Sequence, residues 1–304
     1  MNTTKYFAHK KYIEKLKELS ANNAPIESHT QLLNHIGMSH TTKAITIENN
    51  QILYRSRINK KGYLFQHVDE LKYPKSIDVI SKGRLNDIGQ SIFYTSSSLL
   101  GTIIESRFEI NNIVTVSKIK KKNDSLVYFL ALGFRNHMFS TSPENKCHKL
   151  VVDYLNDELT KKVTTSDGYN STIAISNFFM DMSLLYGPDR LDAKNSNFLA
   201  SYLGLLYPSV QSQLVSNKTT QNLAMTPSLY EDYFVIFEAE VYCMILNSKN
   251  VPQNTAVLVP INNGSISDDG YINWKFSFLE MVNRAANGIN CYGHSDECLK
   301  KIEF

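Results

Sequence analysis

The stretch GRLNDIGQSIFYTSSSLLGTIIESR, from Gly83 to Arg107, carries a turn, a strand and a helix start in direct succession. Gly83-Arg84-Leu85-Asn86-Asp87-Ile88-Gly89 is a glycine-bounded loop of turn-forming residues. Ile92-Phe93-Tyr94-Thr95 is β-branched and aromatic, which predicts a strand. Ser96-Ser97-Ser98 then offers a hydroxyl N-cap to a helix running from Leu99 to about Phe108. At about 100° per residue, Leu99, Leu100, Ile103, Ile104 and Phe108 fall on one half of that helix, with Ser98, Thr102 and Glu105 opposite. Glu105 therefore leaves the apolar stripe and faces solvent or a cleft.

Upstream, QILYRSRI (51–58) reads as a strand on which Leu53, Arg55 and Arg57 share a face and Ile52, Tyr54 and Ile58 take the other. Arginine is scarce: the chain has seven, and four of them (Arg55, Arg57, Arg84 and Arg107) lie between positions 55 and 107. Its planar fork suits phosphate and carboxylate recognition, which draws attention to that stretch. Further upstream, residues 4–20 predict an amphipathic helix, with Tyr6, Tyr12, Ile13, Leu16 and Leu19 in one arc and Phe7 off it.

Downstream, Val114–Ser117 and Leu126–Leu132 predict strands joined by a basic turn, Lys118–Lys122. A helix follows Pro143, with Leu150, Val151, Tyr154, Leu155 and Leu159 as its stripe. Helices also fit 171–185 and 195–205, the latter broken by Tyr207-Pro208-Ser209. Strand-like segments follow at 219–226, 233–246, 255–260 and 271–278. Strands, then helices, then strands without regular alternation predict an α+β fold with a mixed or antiparallel sheet.

Composition agrees with a globular chain: 304 residues, 42% hydrophobic and 20% charged, with a formal net charge of +3. Such an even balance argues against a nucleic-acid coat. No apolar run is long enough for a membrane span. The first residues mix charge throughout, unlike a secretory signal, and four cysteines are too few to staple the fold, so a reducing cytoplasm is the expected compartment. Cys291-x2-His294-x3-Cys298 can begin a zinc site that would need a fourth ligand, while unlinked thiols are the plainer account. GxGxxG, GxxxxGK[ST], HExxH and GxSxG are all absent, which removes the Rossmann, P-loop, zincin and serine-hydrolase fingerprints.

Three segments together resemble the RES domain family. ILYRSR is similar to its opening strand, GRLNDIGQSIFYTSSSLLGTIIESR to its central signature, and LLYPSVQSQLVSNKTTQNLAM to its closing segment. The resemblance implies a fold like ADP-ribosyltransferase toxins and an activity that consumes NAD as substrate, with no separate cofactor and an antitoxin protein as partner. It implies a catalytic set of Arg55, Tyr94, Glu105 and Ser209, with Arg84 and Asn222 binding substrate; Arg57, on the same strand face as Arg55, is a further substrate-binding candidate. It divides the chain into an N-terminal helical extension (1–50), an NAD-binding catalytic domain (51–260) and a C-terminal extension (261–304). The residue types suit the reaction: arginines can fork onto a diphosphate, and a carboxylate can stabilise an oxocarbenium-like ribose. Tyr94 can stack on the nicotinamide ring, and Ser209 can bond the ribose. Hydrolysis or phosphorolysis of NAD is the leading expectation. Mono-ADP-ribosyl transfer to a macromolecule and a catalytically silent binding module are the alternatives. Ordinary readings stand beside these, with the arginines as edge-strand gatekeepers and Glu105 as a solvated helix residue.

Overall fold

The computed structural model describes residues 3–36, 43–106, 112–134, 146–185, 203–209, 220–246, 256–281 and 283. It is an α+β fold whose ten strands form a mixed sheet. The chain divides into two compact units, each assembled from separate segments: residues 1–49, 73–94 and 123–233 in the first, and 50–72, 95–122 and 234–304 in the second.

In the first unit, β1 (Lys43–Thr46) pairs antiparallel with β5 (Tyr128–Ala131), β5 runs parallel to β6 (Leu203–Pro208), and β6 pairs antiparallel with β7 (Gln221–Met225). Helices α1 (Thr3–Ala21), α2 (Ile26–Ile36), α4 (Lys146–Thr160) and α5 (Asn170–Leu185) accompany these strands, and α6 (Pro227–Tyr233) follows β7. Their apolar faces share one core with the sheet: Ile13 and Leu16 from α1, Leu33 from α2, Leu155 and Leu159 from α4, Ile175 and Phe179 from α5, and Leu205 and Tyr207 from β6. The expected stripe of the first helix holds at Ile13 and Leu16, and Phe7 is exposed as its position off the stripe requires.

In the second unit, β2 (Leu53–Ile58) pairs antiparallel with β3 (Phe93–Ser96) and with β4 (Ile113–Lys121). β4 pairs with β8 (Phe234–Leu246), β8 with β9 (Ala256–Ile266), and β9 with β10 (Ile272–Trp274). Of β3, Thr95 and Ser96 belong to this unit and Phe93 and Tyr94 to the first. The short helix α3 (Leu99–Glu105) lies in this unit.

Three expectations change. Residues 203–208 are a strand rather than the end of a helix: LGLLYP is apolar without a break, and such a short run does not separate a buried strand from a buried helix. Residues 195–202 of that expected helix lie outside the described residues. Lys118–Lys121 continue β4 instead of forming a turn, because β8 supplies partners for the first lysine: Lys118 Nζ donates to Glu240 Oε1 at 2.9 Å and lies 3.3 Å from Glu238 Oε2. The helix after the serine run ends at Glu105, with Ser106 as its C-cap, and its buried side is Gly101, Thr102 and Ile103 while Leu100 is exposed. The Ser56 hydroxyl seats the helix by donating to the Thr102 carbonyl at 2.7 Å.

Within the helical layer of the first unit a polar cluster is buried. Glu158 Oε2 accepts from Ser20 Oγ, Ser171 Oγ and Lys161 Nζ, at 2.8, 2.5 and 2.7 Å. His29 of α2 is fully buried, and among the described residues neither ring nitrogen has a hydrogen-bond partner. Burial holds its pKa below the ordinary value, Glu158 pulls it up, and Lys161 pushes it down. A histidine whose folded pKa is depressed contributes stability above its unfolded pKa of about 6.5 and loses it as pH falls. Urea unfolding between about pH 7.5 and 5 should therefore show a smaller loss of stability for His29→Leu than for the wild type.

Candidate functional site

β2 carries the first two candidate residues. In an antiparallel pair, facing residues share a side of the sheet. Leu53, Arg55 and Arg57 thus lie with Ile119, Ser117 and Thr115 of β4 on one face, and Tyr54 and Ser56 lie with Lys118 and Val116 on the other. Helix α3 packs on the Tyr54 and Ser56 face: its Leu99 and Ile103 meet Tyr54, Val114, Val116 and Tyr242. Arg55 and Arg57 are therefore brought together on one face, and Glu105 sits at the C-terminal end of a helix seated on the opposite face.

Both arginines reach the segment that follows a 3-10 turn at Val68–Glu70. Arg55 Nε donates to the Leu71 carbonyl at 3.1 Å, and Arg57 Nη2 donates to the Lys72 carbonyl. Burial pushes the Arg57 guanidinium below the usual arginine range, against an opposing pull from Glu70. β2 is bonded to β3 at one register position, Tyr54 opposite Ser96. By alternation Thr95 then lies on the arginine face, and its side chain is almost wholly buried.

Arg84 and Tyr94 belong to the first unit and meet at one turn. The Tyr94 hydroxyl donates to Asn86 Oδ1 at 2.9 Å and accepts from the Leu85 amide at 3.0 Å. The Gly83 amide donates to the Asn86 carbonyl at 2.9 Å, and a Cβ at Gly83 would collide with the Asn86 side chain. The spacing glycine–x–x–asparagine, followed eight residues later by tyrosine, is one hydrogen-bonded knot. Arg84 points away from it to the end of α4, where it donates to the carbonyls of Leu159 at 2.9 Å and Lys161 at 3.3 Å, with its guanidinium 5.7 Å from the centre of the Tyr169 ring. A cation there satisfies carbonyls left unpaired at a helix C-terminus and opposes the helix dipole.

Ser209 and Asn222, also in the first unit, are brought together. The β6–β7 ladder sets Tyr207 opposite Asn222, and the Ser209 amide continues it by donating to the Thr220 carbonyl at 2.9 Å. Alternation places Tyr207, Ser209 and Asn222 on one face. Ser209 and Asn222 are both buried.

A small hollow in the second unit is lined by Asn59, Lys60, Lys61, Tyr63 and Phe278, among others, and by none of the seven candidates. Among the described residues no cluster of histidine, cysteine and carboxylate side chains could hold a metal ion, and no helix is long and apolar enough to cross a membrane. Cys291, His294 and Cys298 lie outside the described residues. The Cys243 thiol is buried and its pKa is pushed up to about 11, so it is not a reactive nucleophile at neutral pH.

Reading the sequence missed Asn86 as the acceptor for Tyr94, although the two stand eight residues apart in the same motif. It also missed Thr95 and Ser117, which only the strand register places beside Arg55. No family model, no curated protein and no solved structure matches the chain.

Tyr94→Phe removes one donor and one acceptor from the buried turn. It should lower stability by about 1–2 kcal/mol in urea titrations and speed hydrogen exchange at the Leu85 amide.

Proposed function

We propose that the chain consumes NAD by cleaving its nicotinamide–ribose bond, through hydrolysis or phosphorolysis, on a scaffold similar to ADP-ribosyltransferase toxins. One observation carries the reading. The residues that make up the central RES-like signature act on each other physically: Gly83, Asn86 and Tyr94 form one bonded turn, and the following serines cap the helix that ends at Glu105. A chance match of residue letters has no reason to be self-supporting in this way.

In this reading the chemistry is divided. Arg55 and Arg57 supply positive charge for the diphosphate. The Glu105 carboxylate stabilises the cationic ribose that develops as nicotinamide leaves, the role carboxylates play in glycoside cleavage. Ser209 and Asn222 bind sugar hydroxyls. Tyr94 contributes through the turn it holds, and Arg84 through the end of α4. The biological setting that goes with this chemistry is a cytoplasmic toxin restrained by an antitoxin protein.

A second reading, a binding module without turnover, is favoured by the three arginines, each of which donates to a main-chain carbonyl. Purified protein incubated with NAD separates the readings. Release of free nicotinamide is expected, and Glu105→Gln should slow it by at least about 100-fold. Label from adenine-labelled NAD that appears on a macromolecule would indicate ADP-ribosyl transfer. Absence of any nicotinamide release would favour the binding module, and full turnover by Glu105→Gln would remove the role given to that residue.

A further inference from the structure

Between Tyr73 and Tyr94, in the first unit, one segment turns some aliphatic side chains inward and others outward. Val79, Leu85 and Ile92 are buried, and Leu85 and Ile92 join the main core of that unit. Ile77, Ile80 and Ile88 are instead 85%, 82% and 60% exposed. Bonds within the segment fix this arrangement. The Ser91 hydroxyl donates to the Pro74 carbonyl and ties its ends together, and the Gly89 amide donates to the Val79 carbonyl at 2.9 Å across its middle. Ile80 and Ile88 are each one residue from that bonded pair, and a single 3-10 turn, Ser76–Asp78, separates Ile77 from Val79 and Ile80. Solitary exposed aliphatics are ordinary on a protein surface. Several on one bonded segment, rimmed by charge, are the pattern of a protein–protein contact.

The charges point to what covers them. Lys75 and Asp78 stand on either side of Ile77 and are both exposed, and among the described residues neither side chain enters an ion pair or a hydrogen bond. An anionic surface, such as an acidic membrane, would meet Asp78 with like charge, and a basic partner would meet Lys75. A second copy of this chain carries both signs around the same apolar centre. A two-fold axis through that centre sets Lys75 of each copy against Asp78 of the other, the self-complementarity that an isologous contact requires.

We propose that Ile77, Ile80 and Ile88, flanked by Lys75 and Asp78, form an isologous contact through which two copies of the chain associate. Nothing in this contact depends on NAD cleavage. Three isoleucines make a small patch beside a standard interface of about 800 Å² per partner, so the dimer is weak and governed by concentration.

Sedimentation velocity of the full chain from about 1 to 200 µM is expected to show a reversible monomer–dimer equilibrium. Ile77→Ser combined with Ile80→Ser should raise the dimer dissociation constant at least about tenfold, with urea unfolding unchanged because both side chains are exposed. Lys75→Asp and Asp78→Lys should each weaken self-association at least about threefold. The deciding measurement mixes those two charge variants, one of them fluorescently labelled. Across a two-fold axis each substituted side chain then faces its opposite sign in the other variant, and mixed dimers should form with wild-type affinity. Wild-type chain that stays monomeric over the whole range overturns the contact. So does a dimer indifferent to the isoleucine substitutions, or a mixture that associates no better than either charge variant alone.

Discussion

The six-position ladder between β2 and β4 is the constraint on which the arginine face depends. Side chains on a strand alternate, and a slip of one residue would exchange the two faces completely. Register is held from the apolar side. Tyr54 packs with Val114, Val116 and Ile103, and Ser56 anchors α3 through the Thr102 carbonyl. Filling that face with α3 leaves Arg55 and Arg57 no choice but the other. The cationic face therefore follows from where the apolar residues of β2 and β4 had to go, with no separate device needed to create it.

Covered charges in the chain are answered in different ways. In the helical layer of the first unit, Lys161 and Glu158 neutralise each other, and two serine hydroxyls complete their bonding. Arg84 in the same unit is answered by the negative end of α4. Lys118 in the second unit has Glu240 and Glu238, and despite partial burial its pKa lies above the ordinary lysine value. Arg57 has the Lys72 carbonyl as its bonded partner and Glu70 as an electrostatic neighbour, and its pKa moves the other way. Native chains rarely leave a buried cation in that condition unless another group completes it. The contrast within one molecule makes the Arg57 arrangement informative.

What could be read from the sequence was local. The strand at 53–58, the strand at 93–96 and the serine-capped helix after it each carry their signals within a few residues, and all three are present. The lysines at 118–121 looked like a solvated turn because Glu238 and Glu240, which draw Lys118 into a strand, lie far along the chain. β6 was hidden because burial on both sides erased the alternation that marks a strand. Helix α2 was overlooked although Leu33 and Ile36 sit at helical spacing, since the third buried position of that stripe is a histidine. For the candidate site, residue types were legible, but the faces they occupy were not: whether Arg55 and Glu105 share a side is decided by strand register and by the seat of α3.

That division of faces bears on how a nicotinamide–ribose bond would be broken. A carboxylate that stabilises a developing cation must stay ionised and must not be neutralised by a neighbouring guanidinium; a diphosphate requires the reverse. Keeping the arginines and the carboxylate helix on opposite sides of β2 meets both requirements, provided one ligand can reach both. β2 is bonded to β3 at Tyr54 and Ser96. A dinucleotide is long and jointed, with its charged diphosphate well separated from its scissile bond. The structure sets the cations on one side of β2 and the helix that ends at Glu105 on the other.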